Sequence, residues 1–115
     1  MAHRSQRLRL LDIAAQIDDI EAALAGREQG AADGWLLRSA IERGVEIISE
    51  ASRHLDPVLK AAHPEVPWRN VADIGNWLRH AYEQVDPALI LAVVEQHFPT
   101  LRIAVVAMFA EIPED

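Results

Sequence analysis

The stretch HPEVPWRNVADIGNWLRHAYEQVD, residues 63–86, decides how this chain folds. It opens with two X-Pro steps, His63-Pro64 and Val66-Pro67. A residue before proline avoids the α region, so the lead-in is extended or turned rather than helical. A helix then starts near Pro67, where a fixed φ and a missing N–H suit a first helical position. Val71, Ile74 and Leu78 recur at three- and four-residue steps and form one apolar stripe along it. The helix ends near Tyr82 or Glu83, and Asp86-Pro87 reads as the cap and first turn of the next.

Within that helix lies GNWLRHAY, residues 75–82. Glycine costs about 1 kcal/mol against alanine in a helix interior, so Gly75 needs a reason. Asn76 and His80 are four residues apart and share a face that the apolar stripe does not occupy. A histidine so placed can titrate near neutral pH and serve as a base or an acid. It can equally be a surface or interface histidine with an ordinary hydrogen bond, and the residues alone leave both readings open.

The helical period extends outward in both directions. Toward the N-terminus, Ile13, Ile17, Ile20 and Leu24 make the apolar stripe of a first helix, expected from Ser5 to Ala25. Gly26 is its expected C-cap, and AGREQGAADG a loop. Asp33 is a good N-cap for a second helix that runs to about His54. Leu37, Ile41, Gly44, Ile48, Ala51 and Leu55 form its buried face, with Gly44 marking a close helix approach. Arg38, Glu42 and Glu46 lie on another face, spaced for solvent or a partner. Asp56-Pro57 starts a short helical turn. Beyond Pro87 the last helix carries Leu89, Val93 and Val94, is bent or broken at Pro99, and continues through Leu101, Val105, Met108 and Ile112. Strand-type alternation is absent from the pattern. The expected fold is all-α, an antiparallel bundle of four to five helices, formed as one domain over residues 1–115.

Composition narrows the function classes. Half of the 115 residues are hydrophobic, so the chain is not of the disordered type. A net charge of −7 argues against a broad, sequence-independent grip on nucleic acid, though it leaves room for a local basic cleft or a basic protein partner. With no cysteine there is neither a disulfide framework nor a thiolate metal site. His54, His63, His80 and His97 never pair at helical ligand spacing, so no metal and no cofactor are expected. Asp18 and Asp19 read as a solvated face, and Trp35, Trp68 and Trp77 as core or interface anchors. Apolar runs fall far short of a membrane span, and MAHRSQRLRLL lacks a secretory core, which points to the cytoplasm.

Four segments resemble the HepT-like family, also called DUF86, of the all-α HEPN superfamily. They are LLDIAAQIDDIEAAL, AIERGVEIISEASRHL, the stretch 63–86 and EQHFPTLR, spread so that the resemblance covers nearly the whole length. The most specific parts are the proline-rich lead-in to tryptophan, the asparagine, the H-x-Y of His80 and Tyr82, and the following Val85-Asp86. The resemblance implies a metal-independent endoribonuclease, the toxin of a two-gene toxin–antitoxin pair, working as a homodimer on RNA. It also implies an antitoxin partner, a minimal nucleotidyltransferase, that attaches AMP to a tyrosine. By match, His80 is the motif histidine and Tyr82 the modified tyrosine.

The motif also wants an arginine separated from the histidine by four to six intervening residues. Here Asp73, Ile74 and Gly75 occupy those places. Arg79 is the nearest substitute, because positions 75 and 79 stack on one side of a helix and side chains lean toward its N-terminus, over Gly75. The expected catalytic set is then His80, Arg79 and Asn76, with Arg69 as a further contact for RNA or the partner. Under the alternative, Gly75 serves close packing, and the chain is a catalytically silent helical subunit that docks a nucleotidyltransferase and presents its substrate. Trp77 and its helix face are the expected dimer elements under either reading.

Overall fold

The computed structural model describes residues 5–28, 34–83 and 87–112. Among them the chain forms α1 (Gln6–Glu28), α2 (Gly34–Arg53), α3 (Pro57–Ala61), α4 (Trp68–Glu83) and α5 (Pro87–Glu111). No strand occurs among the described residues. The all-α architecture therefore follows the hydrophobic period. The central pair is α1 with α2; α5 packs on α1, and α4 packs mainly on α2 and only lightly on α5.

The core is built from the stripes read in the sequence. Leu10, Ile13, Ile17 and Ile20 of α1 meet Ile41, Val45 and Ile48 of α2, and α5 adds Phe98, Leu101, Val105 and Met108. Each fully buried side chain of this size contributes about 1.5–3 kcal/mol relative to exposure. At Gly44 the two central helices approach so closely that a Cβ would stand 2.7 Å from Ile20 Cδ1 and 2.9 Å from its Cγ1. At Gly75, in contrast, the nearest neighbour of an added Cβ among the described residues is Ser49 Oγ at 3.8 Å, an ordinary contact. Close packing is thus the role of Gly44, and the alternative of close packing at Gly75 is not supported by its contacts among the described residues.

Two local expectations change, and the choice between a bent and a broken last helix is decided. Gly26 does not cap α1, which continues through Arg27 to Glu28; glycine is tolerated there at the usual helix cost, and arginine and glutamate are good helix formers. The last helix is not broken at Pro99 but runs continuously from Pro87 to Glu111. Pro99 is exposed, so the carbonyl it leaves without a helical partner can be hydrated. Asp18 is more than a solvated residue: together with Glu21, 2.6 Å away from the same guanidinium, it binds Arg102 and ties α1 to α5. The expected caps Asp33 and Asp86 lie outside the described residues, as does the side chain of Trp35.

The lead-in that aims α4 is closely tied. Asp56 caps α3 by accepting from the Val58 N–H at 2.9 Å, as its place before Pro57 implies. Gln6 bridges α1 to this corner, donating to the His54 carbonyl and accepting from the Asp56 N–H. Trp68 Nε1 donates to the carbonyls of Lys60 and His63, at 3.0 and 3.1 Å, which anchors the first turn of α4. Val66 is buried between the two prolines. His63 is nearly buried and reaches Glu111 at 3.1 Å and Glu65 at 3.2 Å. The hydrogen bond to Glu111, aided by that carboxylate's charge and by Glu65, raises its pKa above the ordinary 6.5.

Two outcomes follow from these contacts. Gly44→Ala and Gly75→Ala should move stability in opposite directions in urea unfolding. At Gly44 overpacking of about 1–3 kcal/mol exceeds the helix gain of about 1 kcal/mol, so the midpoint falls. At Gly75 the helix gain stands alone, and the variant should be stabilised by up to about 1 kcal/mol. For His63, a folded pKa above the unfolded value means stabilisation that is complete below 6.5 and is lost as pH rises through the folded value. Unfolding midpoints measured from pH 5.5 to 8.5 should therefore fall across neutrality, and Glu111→Gln should flatten that slope.

Candidate functional site

Helix α4 lies against α2 with its exposed polar face bordering the junction, and their relative register is set by hydrogen bonds. Ser49 Oγ, buried on α2, donates to the Val71 carbonyl at 3.0 Å, and Arg53 donates to the Ala72 carbonyl at 3.1 Å. These contacts, with Gly75 facing Ser49, make the helices antiparallel: earlier residues of α2 lie beside later residues of α4. A polar hollow of about 350 Å³ opens at this junction. Gly75 and Asn76 form its α4 wall, and Arg43, Glu46, Glu50 and Arg53 line it from α2.

The charges in the hollow are partly satisfied within α2. Arg53 pairs with Glu50 at 2.9 Å, and His54 Nε2 lies 2.9 Å from the other Glu50 oxygen. The His54 contact, supported by the charge of Arg53, holds the Glu50 carboxyl below its ordinary pKa of 4.5. Arg43 stands 3.7 Å from Glu46, and its side chain is 73% exposed. The hollow therefore has one guanidinium held in place by two acceptors and another on a long, loosely tethered arm.

The expected site residues separate into two groups. Asn76 and His80 are both exposed on α4, one turn apart and on the same side, as their spacing implies. Arg79 and Tyr82 belong to the same helix, but their side chains lie outside the described residues. Arg69 is exposed on the first turn of α4. Its eleven-residue separation from His80 corresponds to about 16 Å along the helix axis, so the two do not form one cluster. Among the described residues, no group of three or more histidines and carboxylates is placed to hold a metal ion.

Trp77 points to the other side of α4. It is 43% exposed and lines an apolar groove of about 620 Å³ together with Ile74, Val71 and Phe98. The groove exists because α4 leans on α2 more than on α5. No described helix is long and apolar enough to cross a membrane.

Sequence reasoning missed the α2 contribution to the hollow. It placed Arg38, Glu42 and Glu46 on one polar face but did not connect α2 to Gly75. The available signal was the run Arg43, Glu46, Glu50 and Arg53, spaced three, four and three, which is a continuous polar stripe beside the buried one.

The sequence profile of the HepT-like family, described as ribonuclease HepT-like, matches residues 13–108, and the chain belongs to that family. Among curated proteins it is similar to one from Thermococcus cleftensis named "Probable ribonuclease HepT". They are 40% identical over 63 residues, 55% of this chain and 57% of that one. It is also similar to a Methanocaldococcus jannaschii protein provisionally named as an RNase, at 33% identity over 58% of this chain and 62% of the relative. The matches thus span about three-fifths of these relatives' own lengths. No solved structure matches the chain.

Proposed function

We propose that the chain is a metal-independent endoribonuclease, the toxin of a two-gene module, that works as a homodimer in the cytoplasm. The observation that carries this reading is the pairing of exposed Asn76 and His80 on one side of α4, beside the polar hollow at Gly75. The family's ribonuclease description supports the reaction class.

The chemistry needs no metal. A base removes the proton from a ribose 2′-OH, and the 2′ oxygen attacks the adjacent phosphorus. The bond to the 5′ oxygen breaks as an acid protonates that oxygen, leaving a 2′,3′-cyclic phosphate and a 5′-hydroxyl. His80 serves as the acid/base group and Asn76 orients it. Arg79 stabilises the charge that develops on the phosphorane. In a dimer, two His80 side chains can divide the acid and base roles. The requirement for a 2′-OH selects RNA over DNA. The exposure of Trp77 above an apolar groove supports the third long helix as the dimer face.

Regulation falls on Tyr82, two residues beyond His80. A partner nucleotidyltransferase attaches AMP to its hydroxyl, placing an anion where a substrate phosphate must approach. A second reading is favoured by Gly75 at the motif arginine position and by the net charge of −7: a silent subunit that docks the nucleotidyltransferase.

Purified protein should cleave single-stranded RNA in the presence of EDTA, and His80→Ala should lower the rate by about 10²–10⁴-fold, the usual contribution of general acid–base catalysis. Equal cleavage by wild type and His80→Ala would overturn the enzyme reading. Intact mass after co-expression with the nucleotidyltransferase should rise in AMP steps, and Tyr82→Phe should abolish the rise.

A further inference from the structure

We infer that Arg43 of α2, reaching across the hollow at Gly75, binds the RNA phosphate that flanks His80. This rests on the ribonuclease reading and adds a cation from a helix outside the motif. Three observations carry it. First, the place where the motif would put an arginine is uncrowded: among the described residues, a Cβ on Gly75 would meet Ser49 Oγ at 3.8 Å, an ordinary contact. Second, that space belongs to a hollow whose α2 wall carries two guanidinium groups. Third, the antiparallel register sets Arg43 toward the His80 end of the hollow. Arg43 is six residues before Ser49 on α2, and His80 is five residues after Gly75 on α4, so each lies about 8–9 Å along its helix from the Ser49–Gly75 contact, in the same direction.

Arg43 is preferred over Arg53 because of how each is held. Arg53 is committed to Glu50 and to the Ala72 carbonyl, where it maintains the register of α4. Moving it would break both of those contacts. Arg43 is highly exposed, and its contact with Glu46 is long, at 3.7 Å. Exposed pairs of this kind contribute little, so a phosphate can take Arg43 from Glu46 at small cost. Glu46 is itself half-exposed. The guanidinium then offers two parallel donors to a phosphodiester, which a lysine could not.

The same geometry predicts opposite effects for the two members of the pair. Glu46 competes with substrate for Arg43, so Glu46→Gln should strengthen RNA binding, whereas Arg43→Ala should weaken it. A side chain returned to position 75 should replace the lost cation, since the hollow has room for it.

The test measures binding and cleavage separately. A fluorescent single-stranded 2′-O-methyl oligoribonucleotide, which cannot be cleaved, is titrated by anisotropy at low salt, and unmodified RNA is used for kinetics. Arg43→Ala should bind at least about tenfold more weakly, as expected for one lost charge-assisted hydrogen bond. Arg43→Lys should fall between Arg43→Ala and wild type, Glu46→Gln should bind more tightly, and Gly75→Arg placed on Arg43→Ala should restore binding. Urea midpoints for each variant identify any loss that comes from unfolding. Binding by Arg43→Ala equal to wild type overturns the proposal, as does failure of a folded Gly75→Arg double variant to restore it. If the binding pattern holds but no variant cleaves RNA, the phosphate site stands and the ribonuclease reading falls. If His80-dependent cleavage persists unchanged in Arg43→Ala, the reverse is true.

Discussion

The hydroxyl of Ser49 sits on the buried side of α2 and donates to the backbone carbonyl of Val71 in α4. A serine in mid-helix is otherwise a mild liability, because its hydroxyl must find an acceptor away from water. Here that need is met across the helix interface, and meeting it fixes the axial position of α4. Gly75 then comes to face Ser49, and Asn76 comes to border the hollow. Arg53 reinforces the same register one turn further along α2. The upstream end of α4 is held independently, by Trp68 donating to two carbonyls and by Val66 buried between prolines. With both its start and its register set, the helix has little freedom to present a different face, and the placement of His80 follows.

Charge shapes what such a site can do. A chain of net charge −7 repels polyanions at long range, so under the proposed function contact with RNA rests on a few well-aimed cations rather than a basic surface. The α2 stripe interleaves arginines with glutamates, and this balances the charge of the hollow. Exposed ion pairs exchange partners cheaply, whereas a phosphate brings several acceptor oxygens to a planar guanidinium. An acidic protein can therefore hold a nucleic-acid phosphate at one point without attracting nucleic acid everywhere. The same acidic surface suits a protein partner with a basic face.

Much of the fold was legible in the chain because its signals are local. The stripes of Ile13, Ile17 and Ile20, and of Ile41 and Ile48, are separated by whole turns and became the core. Asp56 before Pro57 became a cap, and the paired X-Pro steps became the non-helical lead-in. Gly44 was readable as a close approach because it falls on a buried stripe. Gly26 misled, since a glycine near a helix end looks like a cap whether or not the chain turns there. The helical face shared by Asn76 and His80 was readable from their spacing, while whether Gly75 serves packing was not, and among the described residues its contacts are ordinary. Whether a helical glycine faces a neighbour or a void depends on another helix, and no local pattern reports that.

The sequence by itself determined that the chain is helical, where its helices start, which stripe each one buries, and that His80 lies beside Asn76 with Tyr82 two residues on. These follow from backbone period, proline sterics and side-chain chemistry, which act over a few residues. Tertiary structure decided that α2 borders the α4 polar side, that Ser49 sets the register, and that four charged side chains of α2 surround the space over Gly75. Those facts depend on the angle and offset at which two packed helices meet. Packing of the whole core selects that offset, and residues more than twenty positions apart in the chain contribute to it.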